Sequence, residues 1–361
     1  MNLSEYEKNV AISVIQKYLK KGNMARALRD ILPNSPLSLN ERSRVAKVVH
    51  KVVRYRRLYE YLLTKSGLVV DGKNLVRLAT EKIKVKEVLP KCIKYSFSDF
   101  LCGILSEEDM IYLNIEPKNY IAVNLRRISR EDAMKVLEEE NLWAREIPDV
   151  ESCLEVPSEA RYSKLITKGL AHVQDVSSQI ISKFLAGLGD EIMDYCAGNG
   201  GKTLTIGYFN PKAKIYAYDI SGRKREILRK RAELYGIDVK VLDNPCGKYD
   251  VVFVDAPCSG VGASRRNPEA KYWDKKDVLK FAEEQIKILL DASKLVKRYL
   301  VYCVCTITPQ ETDGVIENFL SLTNEKFSVE NVPIEHTKTK FGGFVRMHDI
   351  MYIALLHKNQ N

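Results

Sequence analysis

Two cysteines at the ends of strand-like runs are the side chains best suited to chemistry in this sequence. Cys258 lies in Asp255-Ala256-Pro257-Cys258-Ser259-Gly260, and Cys305 lies in Tyr302-Cys303-Val304-Cys305-Thr306. The carboxyl ends of parallel strands form the edge at which open α/β sheets bind ligands. A thiolate at that edge can act as a nucleophile, whereas a single cysteine there is commonly a small buried apolar side chain. Because two cysteines occupy matching positions, the sequence favours a catalytic nucleophile over a buried apolar side chain.

A glycine-rich loop, Cys196-Ala197-Gly198-Asn199-Gly200-Gly201-Lys202, follows the first β-rich run of the same region. Its glycines allow a tight turn and let a ligand approach the backbone at a helix N-terminus. The Walker pattern requires a glycine where Cys196 stands, and the dinucleotide fingerprint requires one where Thr203 stands. Neither phosphate-binding motif is complete.

Acidic residues close the first three runs. Asp194 closes the first, Asp219 closes the second 25 residues later, and Asp243 closes the third. A carboxylate at the position of Asp219 can accept hydrogen bonds from ribose hydroxyls, and Asp243 is placed to meet an adenine amino group. Each acid alone could merely cap a helix, an alternative as strong as the functional one for Asp243 and weaker for Asp219. Together with the loop, they suit a nucleoside cofactor without phosphate, such as S-adenosylmethionine.

Composition restricts the class of protein. The 361 residues predict two or three domains, and no apolar run is long enough to span a membrane, so we expect a cytoplasmic protein. The eight cysteines lie in a long Lys/Glu-rich chain, where free thiols are the usual state. Because no CxxC pair occurs and only five histidines are present, we predict no metal site.

The net charge of +10 is concentrated at the front of the chain, where residues 1–64 hold 13 Lys and Arg against 5 Asp and Glu. A solvated helical surface is the simpler explanation of such a run, but a basic patch beside a catalytic domain favours nucleic acid. The sequence therefore predicts a nucleic-acid partner.

Residues 1–110 are expected to be all-helical. Ser4 with Glu7 and Ser38 with Glu41 have capping-box spacing, and Gly22 can end the first helix. In the second helix, valines recur with helical periodicity while basic residues form another face that can meet phosphate. The residues of this basic face are Arg44, Lys47, Lys51 and Arg54.

Residues 111–170 predict a small α/β subdomain for RNA recognition. A strand-like run covers 120–128, and Ser129 with Asp132 begins a helix that extends to about Leu142. Arg126, Arg127 and Arg130 give this unit a basic edge, which ordinary surface explains equally well.

Residues 171–361 predict a doubly wound parallel sheet, because β-rich runs alternate with helical stretches. The helices 223–235 and 277–296 are the clearest of these stretches. The runs are 192–195, 215–219, 239–243, 251–255, 300–304 and 351–356. The fold class is thus α/β, a Rossmann-like doubly wound domain preceded by an all-α domain and a small α/β unit.

These motifs resemble those of the NOL/NOP/SUN family of RNA cytosine-5 methyltransferases, and most closely the RsmB type with a NusB-like helical N-terminal domain. The resemblance is firm over the C-terminal half and looser over the helical region. The matching segments are Gln174-Asp175-Val176-Ser177-Ser178-Gln179, the glycine loop, Asp255 to Gly260, Arg265-Arg266-Asn267-Pro268 and Cys305. Asn199 stands where the family has proline, and Cys303-Val304-Cys305-Thr306 stands for Ser-Thr-Cys-Ser.

The resemblance implies a role for each of four residues. Carbon 5 of cytosine is a poor nucleophile until a thiolate adds at C6, and by similarity Cys305 is that thiolate. Asp255 is expected to contact the N3/N4 edge of the base, Cys258 to assist release, and Lys202 to lie near the base and favour a thiolate. The register of residues 306–311 selects Cys305 rather than Cys303 as the nucleophile.

Two sets of binding residues complete the prediction. S-adenosylmethionine is expected to contact Cys196, Ala197, Gly198, Asn199, Gly200, Gly201, Lys202, Asp219, Arg223, Asp243 and Asp255. RNA is expected to contact Arg44, Lys47, Lys51, Arg54, Arg265 and Arg266, with Tyr272 and Trp273 as candidates for the aromatic entrance.

Alternatives from other classes remain at this stage. A DNA cytosine methyltransferase would attack with Cys258 alone, and a non-catalytic RNA-binding assembly factor would tolerate loss of Cys305 or Asp255. The NusB-like region favours ribosomal RNA over transfer RNA, and the family implies a monomer.

Overall fold

The computed structural model describes residues 3–81, 83, 85, 87–324 and 326–359. The chain divides into two compact units. The helical unit comprises Met1–Glu116 and Ala263–Lys275, and the sheet unit comprises Pro117–Gly262 and Lys276–Asn361. The segment Ala263–Lys275 therefore leaves the sheet unit, joins the helical unit and returns. The boundaries expected at residues 110 and 170 stay predictions.

The helical unit has eight α-helices, among its described residues. Both capping boxes form as expected. The Ser4 hydroxyl accepts from the Glu7 N–H, and the Ser38 hydroxyl accepts from the Glu41 N–H. The carboxylate of each glutamate in turn accepts from the backbone N–H of its serine. Gly22, at φ +67°, ends the first helix. The helices are α1 Glu5–Lys21, α2 Met24–Ile31, α3 Leu39–Arg54, α4 Arg56–Lys65, α5 Gly72–Thr80, α6 Lys91–Lys94, α7 Asp99–Ile104 and α8 Glu107–Tyr112.

The returning segment is held in the helical unit by a buried lysine. Lys271 is fully buried, and its ammonium donates to the carbonyl oxygens of Arg54 and Tyr95 and to Oδ1 of Asn114, each at 2.7 Å. Burial, with the charge of Arg54, lowers the pKa of Lys271, and the three acceptors partly offset this burial because they match the three protons of an ammonium group. The Tyr272 hydroxyl donates to the Val53 carbonyl at 2.6 Å. These contacts make the segment part of the helical core.

Cys92 and Cys102 form a disulfide, so the expectation that all eight cysteines are free thiols is wrong for this pair. The two residues lie on α6 and α7 with their Cα atoms 5.5 Å apart, within the range a disulfide spans. Composition suggested free thiols, but it carries no information on the turn between two helices that brings these cysteines together.

The sheet unit begins with a four-stranded antiparallel sheet in the order β2-β3-β1-β4. The expected helix after Ser129 forms, and the Ser129 hydroxyl accepts from the Asp132 N–H. The elements are β1 Asn119–Val123, α9 Arg130–Glu139, β2 Arg145–Glu146, β3 Cys153–Val156, α10 Lys164–Thr167 and β4 Ala171–Val173.

The remaining strands form a nine-stranded mixed sheet in the order β11-β12-β13-β9-β8-β5-β6-β7, with β10 paired to β13. Strands β5 to β9 are parallel, and β13 is antiparallel to β9. The elements are α11 Val176–Ala186, β5 Glu191–Asp194, α12 Gly201–Phe209, β6 Lys214–Ala217, α13 Gly222–Tyr235, β7 Val239–Val241, β8 Tyr249–Asp255, α14 Lys275–Ser293, β9 Val296–Val304, α15 Asp313–Leu322, β10 Phe327–Glu330, β11 Thr337–Lys338, β12 Gly343–Arg346 and β13 Ile350–Lys358. The predicted fold class is confirmed.

Two details of this sheet differ from the expectation. Val296 begins β9 instead of ending a helix, because its side chain is buried under the sheet and its backbone pairs with Tyr249. Strands β10 to β12 were not predicted, since they are short and lie at an edge. Among the described residues, no helix is long and apolar enough to cross a bilayer.

His172, on β4, is expected to make the sheet unit sensitive to acid. Burial, with the charge of Arg231, lowers the pKa of His172 from 6.5 to about 3. Between these two values the unfolded chain binds a proton that the folded chain does not, so stability falls as the pH decreases from 6.5. The free energy of unfolding lost through His172 can reach several kcal/mol, because each pH unit between the two pKa values contributes about 1.4 kcal/mol.

The measurement is urea unfolding of the wild type and His172→Gln at pH 7 and pH 4.5, where the variant should lose less stability on acidification. Asp194 has the opposite effect, because burial raises its pKa, but it is present in both proteins and cancels. Equal pH dependence in the two proteins would contradict the prediction.

Candidate active site

The glycine loop joins β5 to α12 at the carboxyl edge of the sheet. Gly200 has φ +83°, and a Cβ there would lie 2.1 Å from Cδ1 of Leu228. Gly198 has φ +56° with open space where its Cβ would be. Glycine is therefore required at Gly200 both by conformation and by packing. Asn199, at the family's proline position, accepts a 2.6 Å hydrogen bond from Arg231 through its carbonyl.

Asp194, at the end of β5, is buried beneath this loop. The Thr203 hydroxyl donates to its Oδ2 at 2.7 Å. Burial raises the pKa of Asp194 to about 7. The side chain thus ties the end of the strand to the first turn of α12 and fixes the loop between them.

Asp219 lies against the glycine loop, as its position after β6 predicted. Its Oδ2 accepts from the Gly198 N–H at 3.0 Å and from the Lys224 ammonium at 3.4 Å, and its Oδ1 accepts from the Ser221 N–H at 2.9 Å. The carboxylate is nearly buried, at 6% exposure. It is held in place by its own loop and the start of α13.

Asp243 and Arg223 are exposed, in contrast to Asp219. Asp243 is exposed and pairs with Arg229 and Arg225, and the hydrogen bond from Arg229 lowers its pKa. Arg223 is exposed on α13, whereas Arg225, two residues later, donates to the Asp219 carbonyl at 2.7 Å. Arg225 was not predicted, although its position one turn after Asp219 is a usable signal.

Lys202 and Asp255 form an ion pair at the centre of the edge. The Lys202 ammonium lies 2.5 Å from Oδ2 of Asp255, and the two side chains are 12% and 32% exposed. Burial opposes the charge of Lys202, but the Asp255 carboxylate outweighs it and the pKa of Lys202 is raised. Lys202 therefore holds its proton at neutral pH.

The sulfur atoms of Cys258 and Cys305 lie 3.3 Å apart beside this ion pair. Cys305 is partly exposed and interacts electrostatically with Lys202, the last residue of the glycine loop. Cys303 is fully buried in the core, and burial raises its pKa. The geometry therefore offers two partly exposed thiols in contact, one of them interacting with the Lys202 cation, and a carboxylate.

The predicted RNA-binding residues of α3 do not all face outwards. Lys47 is exposed, and Arg44 pairs with Glu7 at 2.8 Å. Lys51 donates to the Ala79 carbonyl at 2.6 Å. Arg54 is buried and donates to the Arg265 carbonyl at 2.6 Å. The burial of Arg54 argues against a phosphate contact, because its guanidinium would have to leave the core.

The Arg265-Arg266 pair lies in the segment that joins the helical unit. Arg265 is 4% exposed and donates to the carbonyls of Ile115 and Glu116, both at 3.3 Å, with its guanidinium over the Tyr112 ring. These contacts give Arg265 a structural role rather than a place at a nucleic-acid surface. The same holds for Tyr272, whose hydroxyl donates to the Val53 carbonyl. Arg266 is half-buried. No pattern in the sequence indicates that this basic segment is internal.

A cluster of Asp175, His348 and Asp349 was also not predicted, and its ligand atoms lie within 4.8 Å of one another. Nδ1 of His348 donates to Asp175 at 2.7 Å, while its Nε2 accepts from the Lys118 N–H at 2.9 Å. Both ring nitrogens are therefore engaged within the protein, which is the arrangement of a structural hydrogen-bonded pair. The absence of a metal stays a prediction.

The sheet and its crossover helices have the fold of Rossmann-like methyltransferase domains. A solved structure of PH0851 is similar over 99% of this chain and 100% of its own, with a TM-score of 0.80 at 19% identity. NSun6 from Pyrococcus horikoshii is similar over 71% of this chain and 94% of its own, with a TM-score of 0.61 at 18% identity. At these identities the likeness shows the fold.

Comparison with family models identifies a narrower group of proteins than the fold does. Residues 186–356 match the family model of the 16S rRNA methyltransferase RsmB/F. This match confirms, over the C-terminal half of the chain, the resemblance stated from its motifs.

Curated relatives agree with this assignment. Ribosomal RNA small subunit methyltransferase B of Klebsiella pneumoniae is 31% identical over 58% of this chain and 52% of its own length. The same enzyme of Vibrio cholerae is 27% identical over 68% of this chain and 60% of its own length. The chain therefore spans between half and three fifths of these two relatives.

Proposed function

We propose that this protein transfers a methyl group from S-adenosylmethionine to carbon 5 of a cytosine in RNA, with Cys305 as covalent nucleophile and ribosomal RNA as the substrate class. The observation that carries the proposal is the 3.3 Å approach of Cys258 to Cys305 beside the Lys202–Asp255 pair. Two thiols, a carboxylate and a lysine at one sheet edge suit thiol addition to a pyrimidine and reversal of that addition. The names of the curated relatives favour ribosomal over transfer RNA.

The cofactor end of the edge fits S-adenosylmethionine, which supplies a methyl group on a sulfonium. Gly198 leaves open space in the loop, and Asp219 is fixed where a ribose can meet its carboxylate. No phosphate-binding motif is present in the loop, in keeping with a cofactor that has no phosphate. The NSun6 structure was solved with SFG, an analogue of this cofactor.

Each residue at the sheet edge has its own step in the proposed reaction. Cys305, as a thiolate, adds to C6 of the cytosine, and the displaced electron pair moves towards N3. Asp255 contacts the N3/N4 edge, and the proton taken up there comes from the Asp255–Lys202 pair, in which Lys202 is protonated. Carbon 5 thereby becomes nucleophilic. Once it carries the methyl group, C5 loses its proton, the bond from C6 to Cys305 breaks with Cys258 assisting, and N3 returns its proton to the Asp255–Lys202 pair.

Tritium release tests the function, because C5 must lose its hydrogen only if C5 is the site of methylation. Small-subunit ribosomal RNA carrying [5-³H]cytosine is incubated with the protein and S-adenosylmethionine, with transfer RNA and DNA as parallel substrates. We expect one tritium released for each methyl transferred, on ribosomal RNA.

The other outcomes separate the alternatives. Release from transfer RNA alone would correct the substrate, and release from DNA alone would identify a DNA methyltransferase. RNA binding without any methyl transfer would indicate the non-catalytic assembly factor and would refute the proposal.

Asp219→Asn is expected to weaken cofactor binding about tenfold to a hundredfold. Hydrogen bonds to a charged group contribute about 1.5–3 kcal/mol, and about 1.4 kcal/mol corresponds to a factor of ten in affinity. Isothermal titration with S-adenosylmethionine measures the change. Asp238→Asn, an exposed aspartate on the same unit, is the matched control. Equal affinity of Asp219→Asn and the wild type would exclude Asp219 from the cofactor site.

A further inference from the structure

A buried carboxylate, Glu311, joins the two loops that carry Cys258 and Cys305. Glu311 ends the short 3-10 helix Pro309–Glu311 and is 0% exposed. Buried carboxylates normally pair with a cation. The groups that donate to Glu311 are instead neutral amides and hydroxyls, so hydrogen bonds alone compensate the burial of its charge.

Both carboxylate oxygens of Glu311 are used. Oε1 accepts from the Ser259 N–H at 2.8 Å and from Nε2 of Gln285 at 3.0 Å. Oε2 accepts from the hydroxyls of Ser259 at 2.5 Å, Thr308 at 2.7 Å and Thr306 at 3.3 Å. Hydrogen bonds to an ionised acceptor are about twice as strong as neutral ones.

The donors are the neighbours of the two cysteines. Ser259 directly follows Cys258, Thr306 directly follows Cys305, and their hydroxyl oxygens lie 2.9 Å apart. On the other side of Cys258, Gln285 donates to the Pro257 carbonyl at 2.9 Å. One carboxylate therefore fixes both loops, and with them the 3.3 Å separation of the sulfur atoms.

We propose that Glu311 is a positioning residue that keeps Cys258 as a neutral thiol against the sulfur of Cys305, and so reserves Cys258 for release and Cys305 for attack. The assignment of roles rests on the proposed function. A fixed negative charge in the loop disfavours a second negative charge on Cys258. The hydrogen bond with Cys305, burial and the charge of Glu311 together raise the pKa of the Cys258 thiol.

The release step balances with this thiol in place. The C5 proton passes to solvent, and its bonding pair forms the C5–C6 double bond. The electron pair of the C6–sulfur bond returns to Cys305 as a thiolate. As that bond breaks, the S–H of Cys258 donates a hydrogen bond to the sulfur of Cys305, which stabilises the departing thiolate.

Glu311→Gln tests the proposal, because glutamine removes the charge and turns an NH₂ donor towards the Ser259 N–H. We expect turnover to fall about 10- to 100-fold, the cost of a displacement of about 1 Å. The covalent RNA adduct should accumulate, while the Kd for S-adenosylmethionine stays within about twofold. Without RNA, alkylation of Cys258 by iodoacetamide should reach half its maximal rate at a lower pH than in the wild type. A merely structural role would not move this pH profile.

Glu317→Gln is the matched control, since Glu317 is 60% exposed and pairs with Lys340. It should leave turnover and the pH profile of Cys258 alkylation unchanged. Wild-type turnover in Glu311→Gln, or loss of adduct formation with cofactor binding intact, would overturn the proposal. If Glu311→Gln fails to bind cofactor, Ser259→Ala decides, because it removes one donor and should give a smaller accumulation of adduct; an unchanged adduct level would then overturn it.

The two proposals can fail separately. Absence of tritium release from the wild type counts against the proposed function, whereas the alkylation profile of Cys258 uses no RNA and tests Glu311 alone.

Discussion

Cys305→Ala is expected to abolish methyl transfer, with turnover reduced by at least about four orders of magnitude. Removal of the nucleophile leaves C5 of the cytosine unactivated, and loss of a catalytic nucleophile commonly costs this much or more. Cys258→Ala is expected to behave differently, because Cys305 can still attack while release is impaired. In that variant a covalent protein–RNA adduct should persist through denaturing electrophoresis.

The measurements are transfer of labelled methyl groups and retention of RNA on the denatured protein. Cys303→Ala is the matched control, since Cys303 lies on β9 two residues before Cys305, which follows the strand, and is fully buried. It should keep activity and lose about 1 kcal/mol of stability, the cost of a small cavity. An adduct in Cys305→Ala, or a dead Cys303→Ala with an active Cys305→Ala, would assign the attack to another thiol.

The sequence predicted the elements whose causes are local. The capping boxes of Ser4 and Ser38 form because the partner lies three residues away, and each β-rich run became a strand because its apolar residues are consecutive. Strand ends then placed Asp219, Asp255 and Cys305 at one edge, since parallel strands finish on the same side of a sheet. Site residues at strand ends were therefore the most predictable.

Features that depend on distant contacts were not predictable in this way. Arg54 and Arg265 have the composition of a nucleic-acid surface, yet each is buried by contacts between segments about 200 residues apart. The disulfide between Cys92 and Cys102 depends on a turn whose geometry composition does not specify. Glu311 lies in the segment 306–311 that fits the family register, but its role is visible only through its bonds to Ser259 and Thr306.

Asp255→Asn is expected to lower the rate of methyl transfer by about 10²- to 10⁴-fold, the usual contribution of general acid–base catalysis. Asparagine keeps the size of the side chain but cannot hold a proton for N3 or balance the Lys202 ammonium 2.5 Å away. Because Asp255 is about one-third exposed, solvent screens part of the lost attraction, and we expect the fold and cofactor affinity to change little. Single-turnover kinetics with excess enzyme measure the chemical step directly.

Lys202→Met and the double variant show whether the two residues act as one unit. If the proton taken up at N3 comes from the pair, each single variant already loses that path, so the double variant should be about as slow as the slower single one. Asp291→Asn with Lys294→Met is the matched control, an exposed acid–lysine pair on the same unit with 2.7 Å between its charged atoms. Rate losses that multiply in the double variant at positions 202 and 255 would show independent roles. The lysine would then act on the Cys305 thiolate by its charge alone, and the carboxylate would act on the base by itself.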